Sequence, residues 1–336
     1  MAITFRNLPK GSTIGSGSYI FRHYGNETPA ELPYLCFTAE NAGSTVAMSV
    51  NGTPTKGQAF ETSTDGVVWS VFTPGTTTIT LANVGDKVYF RGNNTTFSES
   101  NSIYYKFVMS GKIAASGNIM SSLDTTCQST TISNNYCYYY MFSSCTSLTT
   151  APTLPATTLA DYCYSYMFSR CTSLTTAPAL PATTLAKYCY QSMFYNCSSL
   201  TTVSVLPATT LAAYCCQHMF HGCTSLTTAP ALPATTLAAC CYQAMFRDCK
   251  SLTTAPTLPA TTLMIRCYEY MFNNCISLQV YSSSEEGHTK AWRIPTSGDA
   301  SSYTSQVYMF YNCPGSYTTA VRVSLNTTFY TQNTPV

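Results

Sequence analysis

Charged side chains are scarce in this sequence of 336 residues, of which only 9% are Asp, Glu, Lys or Arg, against about 25% in an ordinary soluble domain. Sixteen basic and 14 acidic residues leave a net charge of +2, too small for a nucleic-acid-binding or anionic-membrane surface. No stretch approaches about 18 consecutive apolar residues, so no membrane span is predicted. The first residues, MAITFRNLPKGS, lack the apolar core of a secretory signal, and we expect synthesis in a reducing cytoplasm.

Sequence motifs of enzymes are also missing. The chain has no glycine-rich phosphate loop, no His-Glu-x-x-His and no Gly-x-Ser-x-Gly, which are the common signatures of phosphate binding, metalloproteolysis and acyl transfer. We therefore predict no catalytic residue, no cofactor site and no enzymatic activity. His218 and His221 lie near two cysteines, but the other repeats have no histidine there, so no metal site is predicted.

What the sequence does contain is a repeat of 26 residues. Two cysteine series run at this period, one from Cys145 to Cys275 and one, eight residues earlier, from Cys137 to Cys267. A Met-Phe pair and a leucine recur in step with them. The unit reads CTSLTTAPALPATTLAxYCYxxMFxx, with five full copies between Cys145 and Phe272. Copies at a constant period predict a repeat solenoid.

Each coil of 26 residues is predicted to contain one short parallel strand and one short helix, as in a leucine-rich-repeat-like solenoid. The segment SLTTAPAL is rich in threonine and leucine and favours a short strand. In the following segment, four apolar residues lie four positions apart, within an arc about 120° wide on an α-helix; they are Leu159, Cys163, Met167 and Cys171. Pro155, followed by two threonines, is a typical helix start.

The 17 cysteines are predicted to be reduced and buried. Their Cys-x7-Cys spacing differs from the Cys-x2-Cys of zinc sites, and the histidines are not in step with it. Both series lie on the predicted apolar face, where cysteine behaves as a small hydrophobic residue. A disulfide or metal framework is the alternative.

The rest of the chain has a different composition. Residues 1–32 predict an N-terminal arm or linker with one strand, ITFRNL. Residues 33–113 contain short alternating runs separated by Asn-Gly and Asp-Gly turns, which predicts an Ig-like, all-β sandwich. The solenoid is predicted over residues 114–281. Residues 282–336 are predicted to form an insertion loop, with the charged segment SSSEEGHTKAW, and a C-terminal capping coil in which Met-Phe-x-x-Cys returns.

The unit YMFSRCTSLTTAPALPATTL resembles the BspA-like type of leucine-rich repeat, whose hallmark is Met-Phe-x-x-Cys-x-x-Leu. The resemblance covers residues 114–280. It implies a repeat protein of the kind known from bacterial surface adhesins and from proteins of gut bacteria and their phages. Because a secreted member of this family carries a signal peptide, the start of this chain favours a virion protein over surface display by the host.

Two sets of residues are candidate binding surfaces. The first is the outer stripe, whose positions vary between copies and include the Tyr and Arg that dominate interface hot spots; it consists of Arg170, Gln191, Tyr195, Gln217, His221, Gln243, Arg247, Glu269 and Asn273. Unconstrained drift of exposed positions explains the variation too. The second is an unchanged inner threonine ladder, formed by Thr150, Thr176, Thr202, Thr228 and Thr254. This ladder either solvates a sheet or offers hydroxyls to a repetitive partner such as a glycan.

The sequence therefore predicts a non-enzymatic binding or adhesion protein, displayed on a phage virion as a fibre or capsid decoration. Its solenoid is expected to recognise a bacterial surface ligand, either a glycan or a protein. Its N-terminal region, which is not repetitive, is expected to attach to a structural protein of the virion. The alternatives are a bacterial cell-surface adhesin and a structural decoration or spacer, and a homo-oligomer is compatible with each of them.

Overall fold

The computed structural model describes residues 33–284, 288–294, 297–298, 305–315 and 327–331. The predicted arm and its ITFRNL strand, the centre of the charged segment and much of the predicted C-terminal coil lie outside these residues. Within them, the strands are β1 (Leu35–Ala39), β2 (Ser44–Asn51), β3 (Phe60–Ser63), β4 (Ser70–Phe72), β5 (Thr78–Leu81), β6 (Lys87–Gly92), β7 (Tyr104–Ser110), β8 (Ile113–Ser116), β9 (Leu148–Thr150), β10 (Thr262–Leu263), β11 (Lys290–Arg293), β12 (Ser297–Gly298) and β13 (Thr328–Thr331).

The part of the chain before the repeats forms two sheets. One has the strand order β4-β3-β6-β1-β8-β9 and the other the order β5-β2-β7, and all pairs are antiparallel except β8 with β9. Alternate side chains of β2 and β6 are buried, as expected for strands with one face on a core, and four of the five residues of β1 are buried. Phe107 of β7 joins the two sheets, since its ring centroid lies 4.9 Å from that of Phe37 and 5.1 Å from that of Phe90. The Ig-like topology stays a prediction.

These sheets continue directly into the repeats. Ile113 of β8 pairs in parallel with Leu148 of β9, which belongs to the first repeat. The Phe107 N–H donates to the Met141 carbonyl at 2.8 Å, and the Cys145 thiol donates to the Phe107 carbonyl at 3.1 Å. The β7 and β8 strands thus occupy the place of a preceding coil, and they cover the backbone groups that the first coil would otherwise expose.

The predicted helix in each coil is wrong. No α-helix occurs among the residues that the structure describes, and their only helical element is a 3-10 turn at Ile119–Ser122. The segment that carries Cys163, Met167 and Cys171 is instead a run of tight turns, with positive φ at every fourth residue. Tyr162 and Tyr166 have φ of 58° and 56°, which lies in the left-handed region and cannot continue a right-handed helix.

Backbone hydrogen bonds in these runs alternate between two kinds of partner. The Ser165 N–H donates within its own turn, to the Tyr162 carbonyl three residues earlier, at 3.1 Å. The next even-numbered residues donate to the following coil, as from Tyr164 to the Cys189 carbonyl at 3.0 Å. An α-helix would satisfy all of these groups within one segment, whereas here half of them join neighbouring coils.

The core consists of columns of identical side chains, one from each coil. The Cys, Met, Phe and Leu of the repeat are fully buried in coil after coil, as Met219, Phe220 and Leu226 show at 0% exposure. Phenylalanine rings stack in one column from Phe107 to Phe310, with centroids 5.3–5.7 Å apart and planes 2–12° from parallel. Offset stacks of this spacing are favourable beyond the area that they bury.

The column also shows where the repeats resume after the insertion. The Phe272 N–H donates to the Met309 carbonyl at 2.9 Å, and the Asn274 N–H donates to the Tyr311 carbonyl at 2.7 Å. Residues 305–313 therefore add one more coil, 12 residues later than the period alone would place it. Phe329 of β13 packs on Phe310, at 5.4 Å between ring centroids, and covers this end of the column.

Among the residues that the structure describes, the predicted strand in SLTTAPAL forms in the first repeat alone, as β9. In later coils the same segment makes single parallel bridges, such as Thr176 with Thr202 and Thr228 with Thr254. The proline in this segment has no N–H to donate, which limits each coil to a short contact with its neighbour. As for membranes, the described ranges hold no helix with the length and apolarity of a transmembrane span.

Candidate binding surfaces of the repeats

The inner threonine ladder lies in the part of each repeat between successive turn runs. Four of its five members are exposed, while Thr254 is buried at 2% exposure. The threonines before three ladder positions, Thr149, Thr201 and Thr253, donate their hydroxyls to backbone carbonyls at 3.1–3.3 Å. Thr150 of the ladder also donates, to the Ala115 carbonyl at 2.9 Å. Thr176, Thr202 and Thr228 make no side-chain hydrogen bond to any described residue. Their hydroxyls face solvent at the period of the coils.

A second set of exposed threonines lies in the same segment of each repeat, and the sequence reasoning did not single it out. It comes from the PATTL part of the repeat and comprises Thr158, Thr184, Thr210, Thr236 and Thr262, each exposed. Thr184 bridges Thr210 of the next coil in parallel. The segment PATTL is identical in all five copies, and this is the sequence feature from which the second set could have been predicted. Two sets of threonines, called the threonine columns below, therefore recur at the period of the repeat between the turn runs.

The outer stripe was expected to be exposed, and for eight of its nine residues this is wrong. Only Arg170 is exposed; Gln191, Tyr195, Gln217, His221, Gln243 and Arg247 are half-buried, and Glu269 and Asn273 are buried at 8% and 7% exposure. The expectation followed from the helix, which would have turned these positions away from the core. Their part in binding stays a prediction.

Four residues of the stripe, Gln191, Gln217, Gln243 and Glu269, form a hydrogen-bonded row that we call the amide ladder. Ser165 of the preceding coil, which is outside the stripe, donates to the Gln191 Oε1 at 3.3 Å. The Gln191 Nε2 donates to the Gln217 Oε1 at 2.7 Å, and the Gln217 Nε2 donates to the Gln243 Oε1 at 2.5 Å. The Gln243 amide donates in turn to the Glu269 carboxylate, which also lies 3.8 Å from the Arg266 Nε. Each amide both donates and accepts, so a glutamine at one position favours a glutamine in the next coil.

His221 of the stripe forms a pair with His218, which is outside the stripe, beside the Asp248 carboxylate. The Nδ1 atoms of His218 and His221 are 3.1 Å apart, and the His221 Nε2 lies 3.1 Å from the Asp248 Oδ2. Burial, together with the neighbouring His221 and Arg247, lowers the pKa of His218 to about 4. Burial also lowers the pKa of His221, against the opposing effect of Asp248. Both imidazoles are therefore neutral at pH 7.

No metal site forms around this pair. In the part of the chain that the structure describes, no group of three or more His, Cys, Asp or Glu side chains is placed to hold an ion. All 17 cysteines are free thiols and all are buried. Burial raises the pKa of Cys137 to about 11 and those of Cys145 and Cys197 to about 12. Such thiols are protonated at neutral pH and make poor nucleophiles or metal ligands.

The thiols of the later cysteine series have a structural role instead. Cys171, Cys197 and Cys223 each donate to the carbonyl of the phenylalanine 29 residues earlier, at 3.0–3.1 Å. The same contact recurs at Cys249 and Cys275. A small side chain with a weak donor fits this position because it fills little volume and still satisfies a carbonyl of the preceding coil.

Comparison with known proteins gives one family. Residues 124–236 and 187–290 match the BspA type leucine rich repeat region, in six copies. No curated protein and no solved structure shows significant similarity to the chain.

Proposed function

Because residues 124–290 are a BspA-type leucine-rich repeat region, we propose that this is a non-enzymatic binding or adhesion protein whose repeats form a solenoid and carry the recognition surface. Proteins with such repeats are typically binding or adhesion proteins. The observation that carries the proposal is the pair of threonine columns. The PATTL column presents an exposed threonine in all five coils, and the inner ladder presents exposed hydroxyls in three successive coils, at Thr176, Thr202 and Thr228.

A periodic surface suits a periodic ligand. Each threonine hydroxyl offers one weak donor and two acceptor positions, which by itself gives little affinity. Several such contacts made together by one polymer gain from effective concentration, because the second contact becomes intramolecular once the first has formed. A bacterial surface glycan, with the same sugar recurring along a chain, is the ligand that we favour, and a surface protein is the alternative.

We propose display on a phage virion, as a fibre or a capsid decoration, with attachment through the N-terminal region to a virion structural protein. Its non-repetitive sheets offer one defined docking surface, which a repetitive face does not. A bacterial cell-surface adhesin would use the same recognition face with a different anchor. Incorporation into purified particles, with and without residues 1–32, separates these two settings.

The binding role is tested by adsorption of the full chain to a panel of intact bacterial cells. Thr202→Lys combined with Thr228→Lys places two long charged side chains on the inner threonine ladder and should reduce adsorption at least tenfold. Thr78→Lys with Thr80→Lys, at two exposed positions of β5, is the matched control and should leave adsorption unchanged. Equal adsorption of both variants and the parent would contradict a role for the columns, and no adsorption by any of them would favour the spacer alternative.

A further inference from the structure

An open cavity of about 420 Å³ lies beside the turn runs of the last coils. Its volume falls within the range of about 300–1,000 Å³ typical of small-molecule sites. Eight side chains line it: Arg247, Asp248, Tyr270, Asn273, Asn274, Tyr308, Tyr311 and Asn312. Only Arg247 and Asn273 of these belong to the outer stripe. The other six residues were missed because the four-residue turns bring them together, and a helical projection does not place them side by side.

Tyrosine rings supply the aromatic part of the lining. The rings of Tyr270 and Tyr308 stack with centroids 5.3 Å apart and planes 14° from parallel. Tyr311 meets Tyr308 edge to face at 5.4 Å, and 39% of Tyr311 is exposed. The two coils before Tyr270 carry Ala244 and His218 at the equivalent position. At this end of the repeats, tyrosines of neighbouring coils therefore stack at this position only at the cavity.

Side-chain amides supply the polar part. Asn273 is only 7% exposed, lines the cavity, and forms no side-chain hydrogen bond with any residue that the structure describes. The exposed Asn312 amide is likewise without a partner among those residues. Both amides are open to the cavity, where water or a ligand can satisfy them. Asn273 therefore holds a donor and an acceptor ready at the cavity wall.

The charges in the cavity offset each other. The Arg247 Nε lies 3.4 Å from the Asp248 Oδ2, and the Arg247 guanidinium lies over the Tyr270 ring at 5.4 Å. Asp248 also receives a hydrogen bond from the Asn274 amide and contacts the His221 imidazole. A site with one paired cation and one paired anion gives no net attraction for an anionic or a cationic ligand.

We propose that this cavity binds a neutral saccharide unit, with a sugar ring packed on Tyr308 and Tyr311 and its hydroxyls bonded to Asn273, Asn312 and Asp248. A pyranose has an apolar face of C–H groups, which suits an aromatic ring. Its hydroxyls both donate and accept, which amides and a carboxylate can match. The polar lining does not suit a lipid, and the paired charges do not suit a phosphate or a sulfate.

This inference deepens the proposed binding function and rests on it only for the kind of partner. The cavity is lined by residues of the turn runs, whereas the threonine columns belong to the segments between those runs. A specific saccharide site at one end and a repetitive contact along the coils would act on one polymer in different ways. The first selects the sugar, and the second adds avidity.

The test is saturation-transfer NMR and titration of the full chain with methyl glycosides of glucose, galactose and N-acetylglucosamine, beside glucuronate and N-acetylneuraminate as acidic probes. At least one neutral glycoside should bind in the millimolar range, more tightly than the acidic probes. Tyr308→Ala and Asn273→Leu should each weaken this binding at least tenfold. Tyr140→Ala, in the same column and also a stacked tyrosine but outside the cavity, is the matched control and should not.

Three results would overturn the inference: no saccharide signal, equal binding by the Tyr308→Ala variant, or a preference for the acidic probes. Cell adsorption distinguishes this failure from failure of the proposed function. Adsorption that persists, is abolished by protease treatment of the cells and ignores saccharide competitors would mean that the protein binds a surface protein and that the cavity is not a saccharide site. A protein that neither adsorbs nor binds saccharides would fail on both counts.

Discussion

Replacing Gln217 by alanine breaks the amide ladder at its centre. The Gln217 side chain accepts from Gln191 at 2.7 Å and donates to Gln243 at 2.5 Å. Each such hydrogen bond contributes about 0.5–1.5 kcal/mol net. Because the ladder is half-buried, the two amides left behind regain some water, and we expect a loss of about 1–2 kcal/mol in the free energy of unfolding. An exposed residue that makes no bond would change it by less than about 0.5 kcal/mol.

Urea and thermal unfolding of the full chain, followed by circular dichroism, measure this difference. A loss of this size should lower the midpoint of thermal unfolding by about 2–6 °C. Gln217→Met keeps most of the volume and removes only the hydrogen bonds, so it should lose nearly as much as Gln217→Ala. Thr228→Ala, an exposed threonine, is the control and should be neutral. A Gln217→Ala variant as stable as the Thr228→Ala variant would refute the ladder as a source of stability.

Three further predictions concern the turns, the histidines and the thiols. Gly222 has φ of +75°, and an added Cβ would meet the Asn196 side chain. Gly222→Ala should therefore lower the free energy of unfolding in urea by about 1–2 kcal/mol, and adding Asn196→Ala should recover part of that loss. Full stability of the Gly222→Ala variant would contradict the geometry. The pKa of His218 is about 4 when folded and about 6.5 when unfolded, so the unfolded chain binds more protons in between. Stability should therefore be complete above about pH 6.5 and fall as the pH drops towards 4; an unfolding free energy that His218→Gln leaves just as pH-dependent would contradict this. The native protein should react slowly with a thiol reagent at pH 8, and after denaturation without reductant close to all 17 thiols should react; fewer than half would indicate oxidation in the native protein.

The sequence was enough to predict the repeat, its period and its core. Because Cys, Met, Phe and Leu recur at a strict period, equivalent side chains of neighbouring coils are in register. They bury one another whether the backbone that carries them is a helix or a run of turns. For this reason the buried positions of Met219 and Phe220 could be predicted although the element that carries them could not.

The helix failed because of a difference between two periods. Residues that are always four positions apart shift steadily around an α-helix, because the helix has 3.6 residues per turn. The arc of about 120° over which the four apolar residues spread is the result of that shift. The four-residue turn has no such drift. Asn196, Asn274 and Asn312 recur at its positive-φ position, where asparagine is favoured, and that pattern was the sequence signal for it. The amide ladder and the cavity depend on this backbone, so neither could be predicted from a helical projection.

The central claim is that the repeats bind a repetitive surface ligand, and its most direct test is the dependence of affinity on ligand length. The full chain would be immobilised and titrated by surface plasmon resonance with size fractions of the bacterial glycan to which it binds best. If successive coils contact successive units, the apparent affinity should rise at least a hundredfold from one repeating unit to a chain that spans the coils, and Thr202→Lys with Thr228→Lys should remove most of that rise. An affinity that is the same for every length, or a rise that this variant leaves intact, would contradict the claim.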